Sequence, residues 1–133
     1  MSSKDEMGPY EHVLHDFLAD LVAHTHRANK HWWKDPKTGE PFNPYLLTPT
    51  KLMLIVSELS EAMEGHRKDL NDTHLTNRKM FEVEMADALI RLLDLAGATG
   101  IDLAGAYIDK MQYNAHRADH KPEARASEHG KKY

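Results

Sequence analysis

Glu58-x-x-Glu61 and Glu84-x-x-Asp87 are two carboxylate pairs at i,i+3 spacing, with residues 62–83 between them, set in the most apolar part of the chain. Residues three apart on a helix share a face, so each pair can aim its oxygens at one point. Two such helices packed together would focus four negative charges on one small volume. Like charges held that close repel, and each desolvated carboxylate carries its own penalty, so a fold keeps such a cluster only with compensation. A hard divalent cation supplies it. Magnesium and manganese prefer carboxylate and water oxygens, and magnesium leaves part of its shell for substrate phosphates. The plain alternative is that both pairs are solvated helix-surface acids, and a single E-x-x-E motif is weak against it. The joint pattern in an apolar setting favours the metal.

The helices expected to carry these acids separate their chemistry by angle. At about 100° per residue, Phe81, Val83, Met85, Leu89, Ile90, Leu92 and Leu93 wrap most of the circumference of the third helix. Glu84, Asp87, Arg91 and Asp94 share the remaining sector of roughly 80°. A helix apolar on most sides belongs in the middle of a bundle, so this thin acid stripe is not a broad solvent face. On the second helix Leu52, Ile55, Val56, Leu59 and Met63 form the apolar arc, with Glu58 and Glu61 at its border. The two acid stripes are expected to face one another across a groove.

A third group lies on the fourth helix, where Lys110, Asn114 and Arg117 recur at i, i+4 and i+7. One face there presents two cations and an amide. Arginine offers a forked contact to phosphate oxygens and lysine a point charge. Alone, the set reads as a helix end whose basic residues complement the macrodipole; beside a four-acid metal site it reads as a phosphate cradle.

The remaining sequence supplies the frame. The 133 residues, 41% of them hydrophobic, fit one domain with one core. The absence of cysteine excludes disulfides, thiolate metal sites and cysteine nucleophiles, and fits a reducing, cytoplasmic setting. A net charge of −4 gives no general attraction to nucleic acid. No run approaches the about 18 apolar residues of a membrane span, and residues 1–9 lack the apolar stretch of a signal peptide. Apolar residues at three- and four-residue steps predict a first helix over about Tyr10–Asn29. The proline-rich segment Lys30–Pro49, carrying His31, Trp32 and Trp33, predicts a long loop. A second helix is expected from near Thr50 to Lys68, a third over about Arg78–Ala98 closed by Gly100, and a fourth from an Asp102 cap to about Arg117. Residues 1–9 and 118–133 are polar, and partial flexibility is expected there.

Glu58-Leu-Ser-Glu61, Glu84-Met-Ala-Asp87 and Lys110-Met-Gln-Tyr-Asn114-Ala-His-Arg117 together resemble the signature of the MazG-like, all-α nucleoside triphosphate pyrophosphohydrolases, over about Trp32–Lys121. The resemblance implies a four-helix bundle completed by self-association to a dimer or tetramer. It implies Glu58, Glu61, Glu84 and Asp87 as ligands of magnesium or manganese, and Lys110, Asn114 and Arg117 as contacts to the phosphate end. The reaction would be attack of water on a phosphorus of a nucleoside triphosphate, giving the monophosphate and pyrophosphate. Phosphoanhydride hydrolysis needs charge neutralisation, in-line positioning and a polarised water, which fits such a site. Glu61 is the favoured general base.

His31, Trp32 and Trp33 are candidates for the base pocket, since an indole stacks on any nucleobase. One of the two tryptophans is expected to anchor the loop instead. A purine deoxynucleotide is the expected substrate. Phosphoribosyl-ATP pyrophosphatase activity shares this acid architecture and is the enzymatic alternative; a non-catalytic helical binding or assembly module is the other. The ten histidines do not form a paired metal site on the helical wheel, and the Glu-x-x-His pairs of a ferritin-like di-iron centre are absent.

Overall fold

A computed structural model of the chain describes residues 7–117 and Ala126. Among these residues all regular structure is helical, as the sequence predicts: α1 Pro9–Asn29, a 3₁₀ turn at Lys30–Trp33, α2 Pro44–Lys68, α3 Met80–Thr99 and α4 Leu103–His116. The extended pairings are two isolated bridges, Lys34 with Pro41 and Asn71 with Lys79. No described helix is long and apolar enough to cross a membrane. Most of the terminal stretches expected to be flexible, 1–6 and 118–133 apart from Ala126, lie outside the described residues. Contacts cluster into two compact units, one of Asp20–Ile101 and one of Met1–Ala19 with Asp102–Tyr133.

The Asp20–Ile101 unit is organised by α2 and α3, which pack along their length. The second helix begins at Pro44, upstream of the expected Thr50. Asn43 explains the early start: its side chain accepts the Tyr45 N–H at 3.0 Å, and proline at the first helical position lacks an N–H that would have no helical partner anyway. Pro49 is accommodated inside the helix. The expected loop is therefore shorter, and its first part is a 3₁₀ turn. At the far end Asp69 takes the left-handed conformation (φ 50°) and its N–H returns to Gly65 and His66 carbonyls, closing α2.

The connection to α3 is held by Asp72, buried, whose carboxylate accepts the backbone N–H groups of His74 and Leu75 at 2.9 and 2.7 Å. Gly100 ends α3 at φ 70°, with its N–H on the Ala96 carbonyl, a cap that glycine adopts without strain. The helices run antiparallel. Gly65 of α2 meets Met80 at the start of α3, and one turn-pair along, Glu58 meets Arg91. Trp33, Ile55, Ala88 and Leu95 form the core, with Leu47 and Ala98 against it. A Cβ on Gly97 would strike the His26 side chain, so the last turns of α1 approach α3 closely there.

Among the described residues, the apolar circumference of α3 is buried on one side and exposed on the other. Leu93, Leu95 and Ala96 are buried, whereas Phe81, Met85, Leu89, Ile90 and Leu92 are exposed, as are Leu52, Met53, Val56, Leu59 and Met63 of α2.

In the other unit, Asp102 caps α4 by accepting the Gly105 N–H at 2.9 Å. Ala104 and Ile108 are its buried residues, and Gln112 donates to Glu11 of α1.

Candidate functional site

Three of the four acids expected at a metal converge. One carboxylate oxygen each from Glu58, Glu84 and Asp87 lies within 4.8 Å of the others. Antiparallel packing of α2 on α3 brings this about, because it sets Glu58 beside the α3 turn that runs from Glu84 to Asp87. Glu61 stands one turn further along α2, exposed and outside that set of three. Its carboxyl nevertheless interacts with those of both Glu58 and Glu84.

The electrostatics of the cluster is unbalanced. Burial, hydrogen bonding to Glu58 and the charges of Glu61 and Glu58 push the Glu84 carboxyl up to about 8. Burial also raises Asp87, reinforced by the Glu58 charge and opposed by Arg91. Burial alone would raise Glu58 too, but hydrogen bonds with Glu84 and with Arg91, together with the Arg91 charge, hold it below the usual carboxylate range. The Arg91 Nε–H donates to Glu58 Oε1 at 2.8 Å. Glu84 Oε2 is buried with no hydrogen-bond partner among the described residues. A buried acceptor left that way is costly, and a cation or a donor would offset the cost.

From this cluster a cavity of about 400 Å³ extends between α2 and α3, lined by Glu58, Asp87 and Arg91 at one end and by Asn29, Trp32, Lys51 and Asp94 toward the other. The two tryptophans differ there. Trp33 is buried, and its indole N–H donates to both oxygens of Asp94 at 3.0 and 3.1 Å. His26 Nδ1–H donates to the same carboxylate at 2.8 Å, and Lys51 Nζ sits 4.6 Å from the centre of the Trp33 ring. Trp33 is thus the anchor of the loop, and its ring is not available to stack on a base. Trp32 is 62% exposed and lines the cavity, with the His31 ring tilted against it at 4.7 Å.

Lys110 and Asn114 lie one turn apart on α4, within the other unit, and Arg117 follows as its extended C-cap residue, just past the end of the helix. Lys110 Nζ lies 4.7 Å and the Arg117 guanidinium carbon 5.8 Å from the centre of the Tyr113 ring. Asn114 Oδ1 is buried without a hydrogen-bond partner among the described residues.

Arg91, Asp94 and Lys51 belong to this region as well, with no role expected for them from the sequence. A signal existed for each. Arg91 and Asp94 fall in the acid sector of α3, and Lys51 precedes Glu58 by seven residues, the same face two turns away. What the wheel could not give was partner choice: that Arg91 pairs with Glu58 on the facing helix, and that Asp94 serves Trp33 and His26.

No family model, curated protein or solved structure matches this chain.

Proposed function

We propose that this chain is a metal-dependent nucleoside triphosphate pyrophosphohydrolase of the MazG-like kind, which releases a nucleoside monophosphate and pyrophosphate. The observation that carries the reading is the Glu84 carboxyl: half-buried beside Glu58, Glu61 and Asp87, raised to about 8, with a buried Oε2 that has no hydrogen-bond partner among the described residues. A donor set made only of carboxylates fits magnesium or manganese. Glu58, Glu84 and Asp87 would hold the ion, with Glu61 at its edge. When bound, the ion would supply charge neutralisation for the triphosphate and a more acidic water.

The protein's own groups have distinct tasks in this reading. Glu61, exposed beside the cluster, takes the proton of the attacking water as its oxygen bonds to phosphorus and the anhydride bond breaks. Arg91 keeps Glu58 in its charged form and has terminal nitrogens without protein partners among the described residues, so they can meet a phosphoryl oxygen. Lys110, Asn114 and Arg117 carry over from the resemblance as contacts to the phosphate end. Trp32 is the stacking face for the base.

Self-association to a dimer or tetramer belongs to the same proposal. Large apolar side chains of both α2 and α3 stand exposed, and a second copy would cover them. Light scattering is expected to give a mass above that of one chain.

Pyrophosphate release from the common nucleoside and deoxynucleoside triphosphates, with magnesium or manganese and again with chelator, tests the activity. Release that the chelator abolishes supports it. No release from folded protein under any condition sinks it in favour of a non-catalytic helical module, and release from phosphoribosyl-ATP alone redirects it to that pyrophosphatase. A Glu61→Gln variant that stays fully active removes Glu61 from the chemistry.

A further inference from the structure

We propose that the end of the cavity away from the acid cluster recognises a 6-oxopurine, guanine or hypoxanthine, and that Lys51 is the residue that discriminates. The proposal rests on the nucleotide reading above. Lys51 lies seven residues before Glu58 on α2, and Asp94 seven after Asp87 on α3. In an antiparallel pair both displacements lead the same way, by about 10 Å at 1.5 Å per residue. A nucleotide with its phosphates at the acid cluster would bring its base to this end.

The groups found there form a donor and acceptor pattern. Lys51 Nζ is held over the Trp33 ring, makes no ion pair among the described residues, and lines the cavity. An ammonium can only donate. Asn29 Nδ2 donates to the Thr25 carbonyl at 2.8 Å, which fixes the amide and leaves Oδ1 as an acceptor without a protein partner among the described residues. Trp32 offers an exposed indole beside them. The anchoring of Trp33 by Asp94 and His26 fixes the backbone from which Trp32 projects.

A base that suits this set stacks on the indole, presents acceptors to Lys51 and a donor to Asn29. Guanine and hypoxanthine carry two acceptors, N7 and O6, on one edge, with the N1–H next to O6. Adenine presents its 6-amino donor where O6 would be, against an ammonium that cannot accept, and has no N1–H for Asn29. Thymine and uracil have the acceptor O4 and the N3–H but only one ring to lay on Trp32, and beside O4 they present C5 where a purine offers N7 to Lys51.

Steady-state pyrophosphate release with dGTP, dITP, dATP and dTTP tests this. The expected kcat/KM for dGTP and dITP exceeds that for dATP by about tenfold or more. Lys51→Met, which keeps the side-chain stem over Trp33, is expected to bring the ratio of kcat/KM for dGTP to that for dATP close to one, and Lys51→Arg to retain the preference. A dATP value equal to or above that for dGTP overturns the proposal and leaves the hydrolase reading intact. If no triphosphate is cleaved the hydrolase reading fails, and the base site is then decided by tryptophan fluorescence. Quenching by GMP but not AMP, lost in Trp32→Phe, supports it; equal quenching by both, or by neither, overturns it.

Discussion

Glu84 and Asp94 stand on the same narrow sector of α3, two acids in one apolar helix, and the protein treats them oppositely. Asp94 has both oxygens engaged, by the Trp33 indole and by His26, so its burial is balanced by three hydrogen bonds. Glu84 has acids for neighbours and one buried oxygen with no partner among the described residues. A satisfied buried carboxylate is a structural element, since removing it leaves its donors stranded. A crowded and unsatisfied one is a cost the fold carries for another purpose, and perturbed carboxyls of that kind cluster at functional sites. The contrast divides one stripe into a site and its scaffold.

The largest effect that sharpens this contrast is expected from Glu84→Gln, which should move activity and stability in opposite directions. Pyrophosphate release should fall by about 100-fold or more, because an amide is a poor ligand for a hard cation. The metal-free protein should become more stable at high pH. The carboxyl is raised from about 4.5 to about 8 in the fold, so the folded state binds the proton more tightly than the unfolded chain. Its contribution is complete below the unfolded value and is lost as pH rises through the folded one. The melting temperature of the metal-free wild type should therefore decline through about pH 8, and the glutamine variant should escape that decline by on the order of 1 kcal/mol, a few degrees. A wild-type melting temperature that is flat across this range would remove the imbalance on which the functional assignment rests.

Asp94→Ala should do the reverse, costing about 3 kcal/mol of stability because it strands a buried indole N–H and the His26 ring. Asp94→Asn keeps an acceptor for Trp33 and should cost less. In the asparagine variant, KM for a triphosphate should rise more than kcat falls, since the loop that carries Trp32 loosens while the acid cluster stays. Chemical denaturation and steady-state kinetics measure the two. If Asp94→Ala is as stable as wild type, the scaffold half of the comparison fails.

Much of this arrangement was legible in the residues, and what was not has a physical reason. The helical period located all four helices and the acid stripe, because one apolar face per helix is a strong constraint on a short chain. Gly100 and Asp102 marked their helix ends through chemistry local to a few residues. The start of α2 lies upstream of its expected position because Pro44 and Pro49 read locally as breakers, whereas Asn43 turns the first into an initiator. The two tryptophans could not be told apart in sequence. Which one is buried depends on Asp94, 61 residues away from Trp33, and no local pattern encodes that distance. The split between Glu84 and Asp94 was hidden for the same reason: a wheel gives the face of a residue and not its partner.

Arg91 lies between the two acids and should give the smallest effect, but the most discriminating one. It is a cation fastened to Glu58, and it faces the same cluster that would hold a divalent ion. In that position it substitutes in part for the ion's charge, and it competes with the ion for one carboxylate. Arg91→Ala should therefore raise the Glu58 carboxyl toward its ordinary range, yet tighten binding of manganese by about fivefold near neutral pH, the scale of a partly exposed charge pair. Triphosphate turnover should fall at the same time, because the guanidinium that meets the phosphoryl oxygens is gone. Manganese titration by calorimetry on the protein without nucleotide separates the two effects. Weaker manganese binding in Arg91→Ala would mean that the arginine chiefly orients Glu58 for the ion; it would then belong with Asp94 to the scaffold, and the line between site and scaffold would run through the acid cluster itself.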